Sequence, residues 1–507
     1  MRDSFCALAV LWSAICATQP AFSDGWPQGS GPMGTYVAKG DAPAKWSVVH
    51  GKNIAWARAL PETGQSTVVI FDGRLFYTCY QPLMADSQLG SNIIAVCADA
   101  MSGKVLWQKT IKAKYPLRLS GCFADSTSPP AVTDGKRVCF FNASGTVVCF
   151  DMKGKELWRR ETMAVGRSQP FLANGKVVYT KQSIMPDQGK FGHEHKNAPK
   201  ELWTQLEAFD LTTGEPAWTS ECGVNMGAVP VASKMNDGRE VIVLGRGGGH
   251  SPPERPLGVS AVDGTSGKTL WTLPLDGFMS TQTFPVADDH ALIFHGPEHL
   301  WVDQAGKIAK RVNFCTDVPV RRRDGSTWCD TVETLEYKPG KGRSITQQSN
   351  LLVGDYHYFR AYMDPYIGRV HVGTGKVEYL QLPVQLIREK GQDDRLVWAL
   401  KDPDFVPADV KNNDGFVVMG DKRSRTNTWG HHASPIMTVV GDHLYLPTMA
   451  GTVYCIQWNA EKLDEKAILG INDLGPAGST WTRASLSYDN GRLYARTIKQ
   501  LLCIESH

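Results

Sequence analysis

Short hydrophobic runs separated by turn residues recur along most of the chain. In one stretch, the apolar runs Val138–Phe141 and Val147–Phe150 stand on either side of the dipeptide Ser144-Gly145. Apolar runs of this length, bounded by such dipeptides, are typical of antiparallel strands joined by tight turns. The pattern therefore predicts an all-β fold built from many short strands.

A turn motif closes each group of runs, and it repeats. It consists of an Asp, a Gly three or four residues later, and a Trp four residues after the Gly. Its four full copies are Asp99–Trp107, Asp151–Trp158, Asp210–Trp218 and Asp263–Trp271. The Asp can accept backbone N–H groups in an Asx-turn, and the Gly can take a positive φ. The Trp then lies on the next strand, where it can fill the gap to a neighbouring unit. Four strands in a unit of roughly 40 to 60 residues make a β-propeller blade.

Eight such units can be followed along the chain. Their first strands start near Gln65, Ser126, Arg167, Gly227, Ser280, Thr346, His432 and Thr480. The last unit ends at Leu501–Glu505 without a fourth strand, and Gly51–Arg58 can supply one from the other end of the chain. We therefore predict an eight-bladed β-propeller of four-stranded antiparallel blades, closed by N- and C-terminal strands. Seven blades is the alternative, because the fifth to seventh units are irregular.

The N-terminal residues have the composition of an export signal. Arg2 precedes the apolar stretch Phe5–Ala17, which is too short to span a bilayer, and small residues favour cleavage after Ser23. The expected organisation is a signal peptide over 1–23, an N-terminal extension over 24–45 and a propeller over 46–507. A lipid anchor at Cys16 is the alternative to cleavage. Either way we expect a periplasmic or secreted protein without a transmembrane segment.

The charge pattern bears on the class of partner, and the cysteines bear on the core and on disulfide bonding. The net charge is +3 with acidic and basic residues interspersed, which argues against a nucleic-acid partner. The run Arg321-Arg322-Arg323 is followed by Asp324, and we expect it in a solvated loop. Four cysteines share one apolar context and are expected to be small buried residues: Cys97, Cys149, Cys455 and Cys503. Cys315 and Cys329 bracket a loop and are the best candidates for a disulfide.

The Asp…Gly-Lys…Trp motif resembles the repeat of PQQ-type (pyrroloquinoline-quinone-type) β-propellers. That superfamily includes the quinoprotein alcohol dehydrogenases and the outer-membrane assembly factor BamB. The resemblance covers nearly all of residues 46–505 and implies the propeller fold. The family's enzymes carry a ring formed by adjacent cysteines and a carboxylate set for calcium, but this sequence has no Cys-Cys pair and no Cys-x-x-Cys-His haem motif.

Residues at the starts of innermost strands point towards the axis of a propeller, so the lining of the channel mouth can be predicted. The candidate cofactor-binding residues are Arg167, Gln169, Gln282, His432, Trp481 and Arg483. Thr281, Gln347, Gln348 and His431 lie at similar positions. Arg and Trp together could hold a planar anionic ligand by charge and stacking. The alternative is that these polar groups line a water-filled channel.

Three insertions interrupt the repeat, and binding elements are often carried on such loops. The first contains His193-Glu194-His195, which offers metal-type ligands without a fourth ligand at a recognisable spacing. The second, over 245–256, is rich in glycine and proline and is expected to be a surface loop. The third, over about 388–430, is charged and could form a lid or a partner surface.

Two functions of different classes follow. The first is an exported, non-catalytic scaffold that binds a protein or glycan partner on a propeller face. The second is a divergent quinoprotein oxidoreductase that acts on alcohols or sugars with PQQ and calcium. No catalytic residue or metal ligand is assigned from the sequence.

Overall fold

A computed structural model describes most of the chain. The described residues are 25–84, 92–115, 125–165, 169–182, 184–185, 190–191, 199–225, 228–247, 253–276, 283–335, 346–361, 364–400, 410–419, 429 and 435–506. Within these ranges, the secondary structure is almost entirely β-strand, with short 3-10 helices at Lys200–Leu202 and Glu465–Ala467.

The strands form eight antiparallel blades, as predicted, and the structure is an eight-bladed β-propeller. The strands are given in order from the axis outwards. Blade 1 comprises Val69–Phe71, Arg74–Tyr80, Ile93–Asp99 and Val105–Ile111, and blade 2 comprises Val132–Thr133, Arg137–Asn142, Thr146–Asp151 and Glu156–Glu161. Blade 3 comprises Phe171–Ala173, Lys176–Gln182, Gln205–Asp210 and Pro216–Thr219, and blade 4 comprises Ala232–Lys234, Glu240–Arg246, Gly258–Asp263 and Thr269–Pro274. Blade 5 comprises Val286–Ala287, His290–His295, Glu298–Val302 and Ile308–Asn313, and blade 6 comprises Thr346–Val353, Tyr356–Ala361, Tyr366–His371 and Val377–Gln381. Blade 7 comprises Thr438–Val440, His443–Pro447, Thr452–Gln457 and Ile468–Asp473, and blade 8 comprises Ser487–Asp489, Arg492–Arg496, Gln500–Ile504 and Ile54–Ala59.

The ring is closed by strands from both ends of the chain. Ile54–Ala59 pairs antiparallel with Gln500–Ile504 and is the outermost strand of blade 8. Trp56 lies directly opposite Cys503 in this pairing. The prediction of N- and C-terminal closure is confirmed, and the outer edge of Gln500–Ile504 is covered by the strand that the C-terminal part of the chain lacks.

The repeated tryptophans connect each blade to the next. The Trp158 indole donates a hydrogen bond to the Leu211 carbonyl in the next blade's turn at 3.1 Å, and its ring lies over Gly214. Gly214 has a φ of +71°, and a Cβ placed on it would lie 2.5 Å from the Trp158 ring. The motif glycine is therefore needed for two reasons: the backbone is left-handed, and the indole occupies the side-chain space.

The same contact recurs around part of the ring. Equivalent pairs of tryptophan and glycine are Trp56 with Gly103, Trp107 with Gly154, Trp218 with Gly267, and Trp271 with Gly306. The indoles of Trp56 and Trp107 also donate to carbonyls of the next turn, each at 3.2 Å. Predicted packing of Trp against the neighbouring unit is thus confirmed, with a specific partner that the sequence did not indicate.

Residues 25–40, which we call the plug, lie against the innermost strands. Gly25–Trp26 pairs antiparallel with Val69–Phe71 and adds a fifth strand to blade 1 on its axial side. Val37–Ala38 pairs in parallel with Thr438–Val440 and does the same for blade 7. The expected N-terminal extension is therefore an ordered part of the fold that occupies the channel.

Two further hairpins extend the rim of the propeller. Val318–Asp324 and Thr327–Glu333 form the first, and Val318–Asp324 pairs in parallel with Val377–Gln381, so that blade 6 has six strands. The second consists of Gln385–Ile387 and Arg395–Val397. We call these two hairpins together the rim platform.

The remaining short strands form local pairs. Ala164–Val165 pairs with Lys176–Gln182, Ile184–Met185 pairs with Lys190–Phe191, and Val410–Lys411 pairs with Val417–Met419. No helix in the described part of the chain has the length and apolar character required to cross a bilayer.

Two expectations about the fifth and sixth units are wrong. Arg321-Arg322-Arg323 lies on the strand Val318–Asp324 instead of in a solvated loop, because each arginine has a partner across the hairpin or from another element. Cys315 and Cys329 are free thiols: Cys315 is buried in an apolar cluster with Phe294 and Phe314, while Cys329 lies on the hairpin strand Thr327–Glu333. By contrast, the four cysteines that were expected to be buried are all inaccessible to solvent.

Candidate functional site

The channel mouth is the end of the axis where the innermost strands begin. Of the six residues predicted to line it, Gln169, Trp481 and Arg483 are described by the structure, whereas Arg167, Gln282 and His432 lie outside the described residues. Thr281, His431 and His193-Glu194-His195 also lie outside them, and the side chains of Gln347 and Gln348 are not described.

Arg483 joins three blades at the mouth. Its Nη1 donates to Gln65 Oε1 at 3.0 Å, and Gln65 Nε2 in turn donates to Asp125 Oδ2. Arg483 precedes the first strand of blade 8, Gln65 that of blade 1 and Asp125 that of blade 2. This Arg483–Gln65–Asp125 chain, which we call the mouth triad, holds the two ends of the ring and the next blade together.

The carboxylate of Asp125 is well supplied with donors. Its Oδ1 accepts the Thr127 amide at 2.7 Å and the Thr127 hydroxyl at 2.6 Å, and the hydroxyl in turn accepts the Gln65 amide at 2.9 Å. Burial raises the pKa of Asp125 above its usual value, although the Thr127 hydrogen bonds and Arg483 oppose the rise. Burial also lowers the pKa of Arg483 to about 10, although Asp125 opposes that fall. The two opposite charges of the triad therefore compensate each other inside the mouth.

Trp481 is covered by one of the insertions. It is 1% exposed and packs in an apolar cluster with Val418, Met449, Ile498 and Leu83. Val418 belongs to the hairpin Val410–Lys411/Val417–Met419, which is held at the mouth by a 3.0 Å hydrogen bond from Asn412 Nδ2 to Glu62 Oε2. The 410–419 hairpin of the third insertion therefore covers the indole, and Trp481 does not present an open stacking face.

Gln169 meets the plug. A Cβ on Gly29 would lie 2.0 Å from Gln169 Oε1 and 2.6 Å from Pro130 Cγ, so the plug backbone lies directly against these side chains. Further along, the Leu172 amide donates to Gln28 Oε1 at 2.6 Å, and Gln28 bridges to Val132. The plug thus fills channel space next to a residue that was predicted to contact a ligand.

The described mouth residues do not fit PQQ with calcium. Calcium prefers several carboxylate and carbonyl oxygens, yet Asp125 is engaged by Gln65 and Thr127, and the described residues contain no group of three or more His, Cys, Asp or Glu that could hold a metal. Arg483 is bound within the triad and Trp481 lies beneath Val418. No cofactor is therefore assigned to these side chains.

The sequence analysis did not identify Asp125 or the plug as parts of this site. Asp125 is followed by Ser126-Thr127-Ser128, and this run of short polar residues ahead of an innermost strand is the turn signal that could have located it. The plug contains Gly29, Gly31, Gly34 and Gly40, but it has no periodicity that predicts contact with several blades.

The rim platform is the second candidate surface. Its two hairpins meet where Trp328 packs edge-on against Trp398 with ring centroids 5.7 Å apart, and Arg323 lies 4.5 Å above the Trp398 ring. Arg321 donates two 2.7 Å hydrogen bonds to Glu465 of blade 7, and these bonds lower the pKa of that carboxyl. The platform is therefore fixed to two blades and does not hang free from the ring.

The outer strand of the rim platform is exposed. Thr327–Glu333 is at the edge of the six-stranded sheet, with Val318–Asp324 as its only strand partner in the described part of the chain. Val332 on this strand is 71% exposed. An edge strand of seven residues presents unpaired backbone donors and acceptors to an approaching chain.

Comparison with known proteins agrees with this architecture. The family model described as outer membrane protein assembly factor BamB matches residues 38–220 and 90–283. The quinohemoprotein alcohol dehydrogenase ADHIIG of Pseudomonas putida HK5 aligns with a TM-score of 0.53 at 12% identity, covering 95% of this chain and 80% of that one. The quinohemoprotein alcohol dehydrogenase of Comamonas testosteroni gives 0.53 at 13% identity, covering 96% and 81%. A europium-containing methanol dehydrogenase gives 0.52 at 12% identity, covering 93% and 89%.

At these identities the solved structures resemble this chain in fold alone. No curated protein sequence matches the chain.

Proposed function

We propose that this chain, an eight-bladed β-propeller that is similar to the BamB family model over residues 38–283, is an exported, non-catalytic scaffold that binds a protein partner. The expected periplasmic or secreted location is part of this proposal. The observation that carries it is the exposed edge strand Thr327–Glu333 of the rim platform.

The edge strand favours a partner that arrives in extended conformation. A peptide can add to such an edge through main-chain hydrogen bonds, and alternate side chains then supply specificity. Along Thr327–Glu333 the exposed positions are Thr327, Asp330 and Val332, which would form a mixed surface with one apolar contact. Trp328 and Arg321 anchor the hairpin, so little ordering is needed before binding.

The axis offers less to a macromolecular partner. The plug occupies part of the channel, the mouth triad satisfies its own charges, and Val418 covers Trp481. These contacts support a rim site over one inside the channel.

Site-specific photo-crosslinking in the producing cell tests the proposal. A photoreactive residue in place of Val332 is expected to crosslink to a defined protein, whereas the same residue at Val105, which is 49% exposed on the outermost strand of blade 1, is not. Val332→Lys should abolish the adduct formed from a probe at Asp330, because lysine on an edge strand disfavours strand addition. Equal crosslinking from positions 332 and 105, or an adduct insensitive to Val332→Lys, would contradict a specific edge site.

The alternatives give different outcomes. Binding to a glycan array without a protein adduct would indicate a glycan partner. Adding PQQ and calcium to the purified protein is expected to leave tryptophan fluorescence unchanged. Quenching together with dye-linked oxidation of alcohols or sugars would instead establish the divergent oxidoreductase.

A further inference from the structure

A cavity of about 230 Å³ lies at the interface between blades 4 and 5. Trp271, the motif tryptophan of blade 4, forms part of its wall. Arg239, Leu270 and Gln304 also line it and are exposed, so the cavity opens to solvent at their end. Its inner wall is apolar and consists of buried side chains from both blades: Met235, Val241, Val243, Ala261, Ala291 and Val302.

At two other interfaces, a phenylalanine fills the equivalent place. The residue directly before the motif Asp packs against the motif tryptophan of the preceding blade. Phe150 holds this position in blade 2, with its ring centroid 5.7 Å from that of Trp107. Phe209 holds it in blade 3, 6.3 Å from Trp158. In blade 5 the same position is occupied by the smaller Val302.

The residue opposite this position in the sheet is smaller as well. Phe150 pairs with Val138 in blade 2, whereas Val302 pairs with Ala291 in blade 5. Val302 and Ala291 both line the cavity. Protein interiors are normally packed with few voids larger than a water molecule. The cavity therefore corresponds to a phenyl ring and part of an aliphatic side chain that are present in blade 2.

The tryptophan at this interface is held less firmly than its equivalents. The Trp107 indole donates to the carbonyl of Met152, which follows the motif Asp of blade 2, at 3.2 Å. The corresponding residue in blade 5 is Gln304, but within the described chain the Trp271 indole has neither a hydrogen-bond acceptor nor a packed aromatic ring. A shift of the Trp271 ring to admit a ligand therefore breaks no hydrogen bond within the protein.

Polar groups of both charges surround the open end of the cavity. Arg239 Nη2 donates to Gln304 Oε1 at 3.0 Å, and Gln304 Nε2 donates to Asp289 Oδ2 at 3.0 Å, which links the two blades. Asp289 and Asp303 line the cavity together with Arg239. An ionised group of either sign would meet a like charge here, whereas a hydroxyl group can both donate and accept a hydrogen bond.

We propose that this cavity binds a small uncharged molecule that has one aromatic ring and a hydroxyl group, such as a phenol. The ring would take the place that Phe150 fills in blade 2, against Val302, Ala291 and Trp271. The hydroxyl group would lie among the polar side chains of the open end. Apolar contact would then supply most of the affinity, and the polar groups would orient the ligand.

Saturation-transfer NMR on the full chain tests the chemistry of the site, with phenol, benzoate and benzylammonium as probes. Phenol is expected to bind more tightly than either ion by about tenfold or more, because the ions lose hydration beside a like charge. Equal affinity for the three probes, or no saturation transfer to phenol, would overturn the proposal. This comparison uses the unmodified protein, so it does not depend on the folding of a variant.

Val302→Phe tests the location of the site, because it places a phenyl ring where blade 2 has Phe150. It should weaken phenol binding by about tenfold or more and leave the melting temperature unchanged or higher, since the new ring enters existing space. Phenol binding that is unaffected by Val302→Phe would show that the ligand lies elsewhere and would overturn the proposal.

Val262→Phe is the matched control. Val262 precedes the motif Asp of blade 4 and packs in a cluster with Phe171 and Trp218, without lining this cavity. The substitution should lower the melting temperature by several degrees, because an added ring overpacks a filled cluster, and it should leave phenol binding unchanged. Equal destabilisation by Val302→Phe and Val262→Phe would show that blade 5 has no room for a ring, which would also overturn the proposal. Neither variant touches the rim platform, so loss of the rim partner would leave these results unaffected.

Discussion

Replacing Gly214 with alanine tests the contact between tryptophan and glycine that joins the blades. Gly214 has a φ of +71°, and its added Cβ would lie 2.5 Å from the Trp158 ring. Gly175, in another turn of the same blade, has a φ of +72° with nothing within 4 Å of an added Cβ. The two sites therefore differ in the packed indole and hardly at all in backbone conformation.

The expected magnitudes follow from this comparison. Alanine in the left-handed region costs about 1–2 kcal/mol, so Gly175→Ala should lower the free energy of unfolding by that amount. Gly214→Ala should add about 1–3 kcal/mol for forcing Trp158 out of place. Combining Gly214→Ala with Trp158→Leu should remove most of that additional loss, which a double-mutant cycle isolates.

Urea denaturation at equilibrium, followed by circular dichroism, provides the assay, with midpoints and slopes compared for all variants. Equal destabilisation by Gly214→Ala and Gly175→Ala would refute the packing argument and leave backbone conformation as the whole requirement. A double variant without any recovery would refute the assignment of the clash to Trp158.

Three other predictions concern the buried rings and thiols. Burial lowers the pKa of His357 to about 3 and that of His299 well below its usual 6.5, so the folded state disfavours protons that the unfolded chain binds below pH 6.5. The free energy of unfolding should therefore fall as pH drops from 6.5, by about 2 kcal/mol per histidine at pH 5. His357→Gln should flatten the profile measured by urea denaturation, and an unchanged profile would contradict this reasoning. Trp56→Ala should lower the free energy of unfolding by about 3–5 kcal/mol, because the Trp56 ring on the closing strand packs against blade 1. An unchanged melting temperature in calorimetry would show that closure of the ring does not depend on Trp56. Without denaturant, half-buried Cys329 should react first with a thiol reagent. Cys139 should react only on unfolding, because burial raises its pKa well above the usual value. If Cys315 and Cys329 were both protected even in denaturant without reductant, the predicted disulfide between them would be restored.

The blades could be predicted from the sequence because their determinants are local. An Asp, a Gly and a Trp within nine residues define the turn and the packing residue, as in Asp99–Trp107. The closing strand could be predicted because its motif is missing at one end of the chain and present at the other. Burial of Cys97 and Cys503 followed from the same repeated context.

The rest depends on contacts between distant positions. Arg321 was assigned to a loop because its partner, Glu465, belongs to another blade. Arg483 was predicted at the mouth, but Gln65 and Asp125, which engage it, lie near the opposite end of the chain. The plug was missed because its residues contact several blades in turn, and no short pattern encodes such a path.

The plug also constrains the order in which the protein can assemble. Val37 pairs with Val439, so the plug is synthesised well before blade 7, which completes its binding surface. Contacts between positions so far apart form late and slow the search for the native state. Until then, Tyr36, which is 2% exposed in the finished ring and packs in a cluster with Val439, remains uncovered on the nascent chain and is a natural target for chaperones that recognise apolar segments.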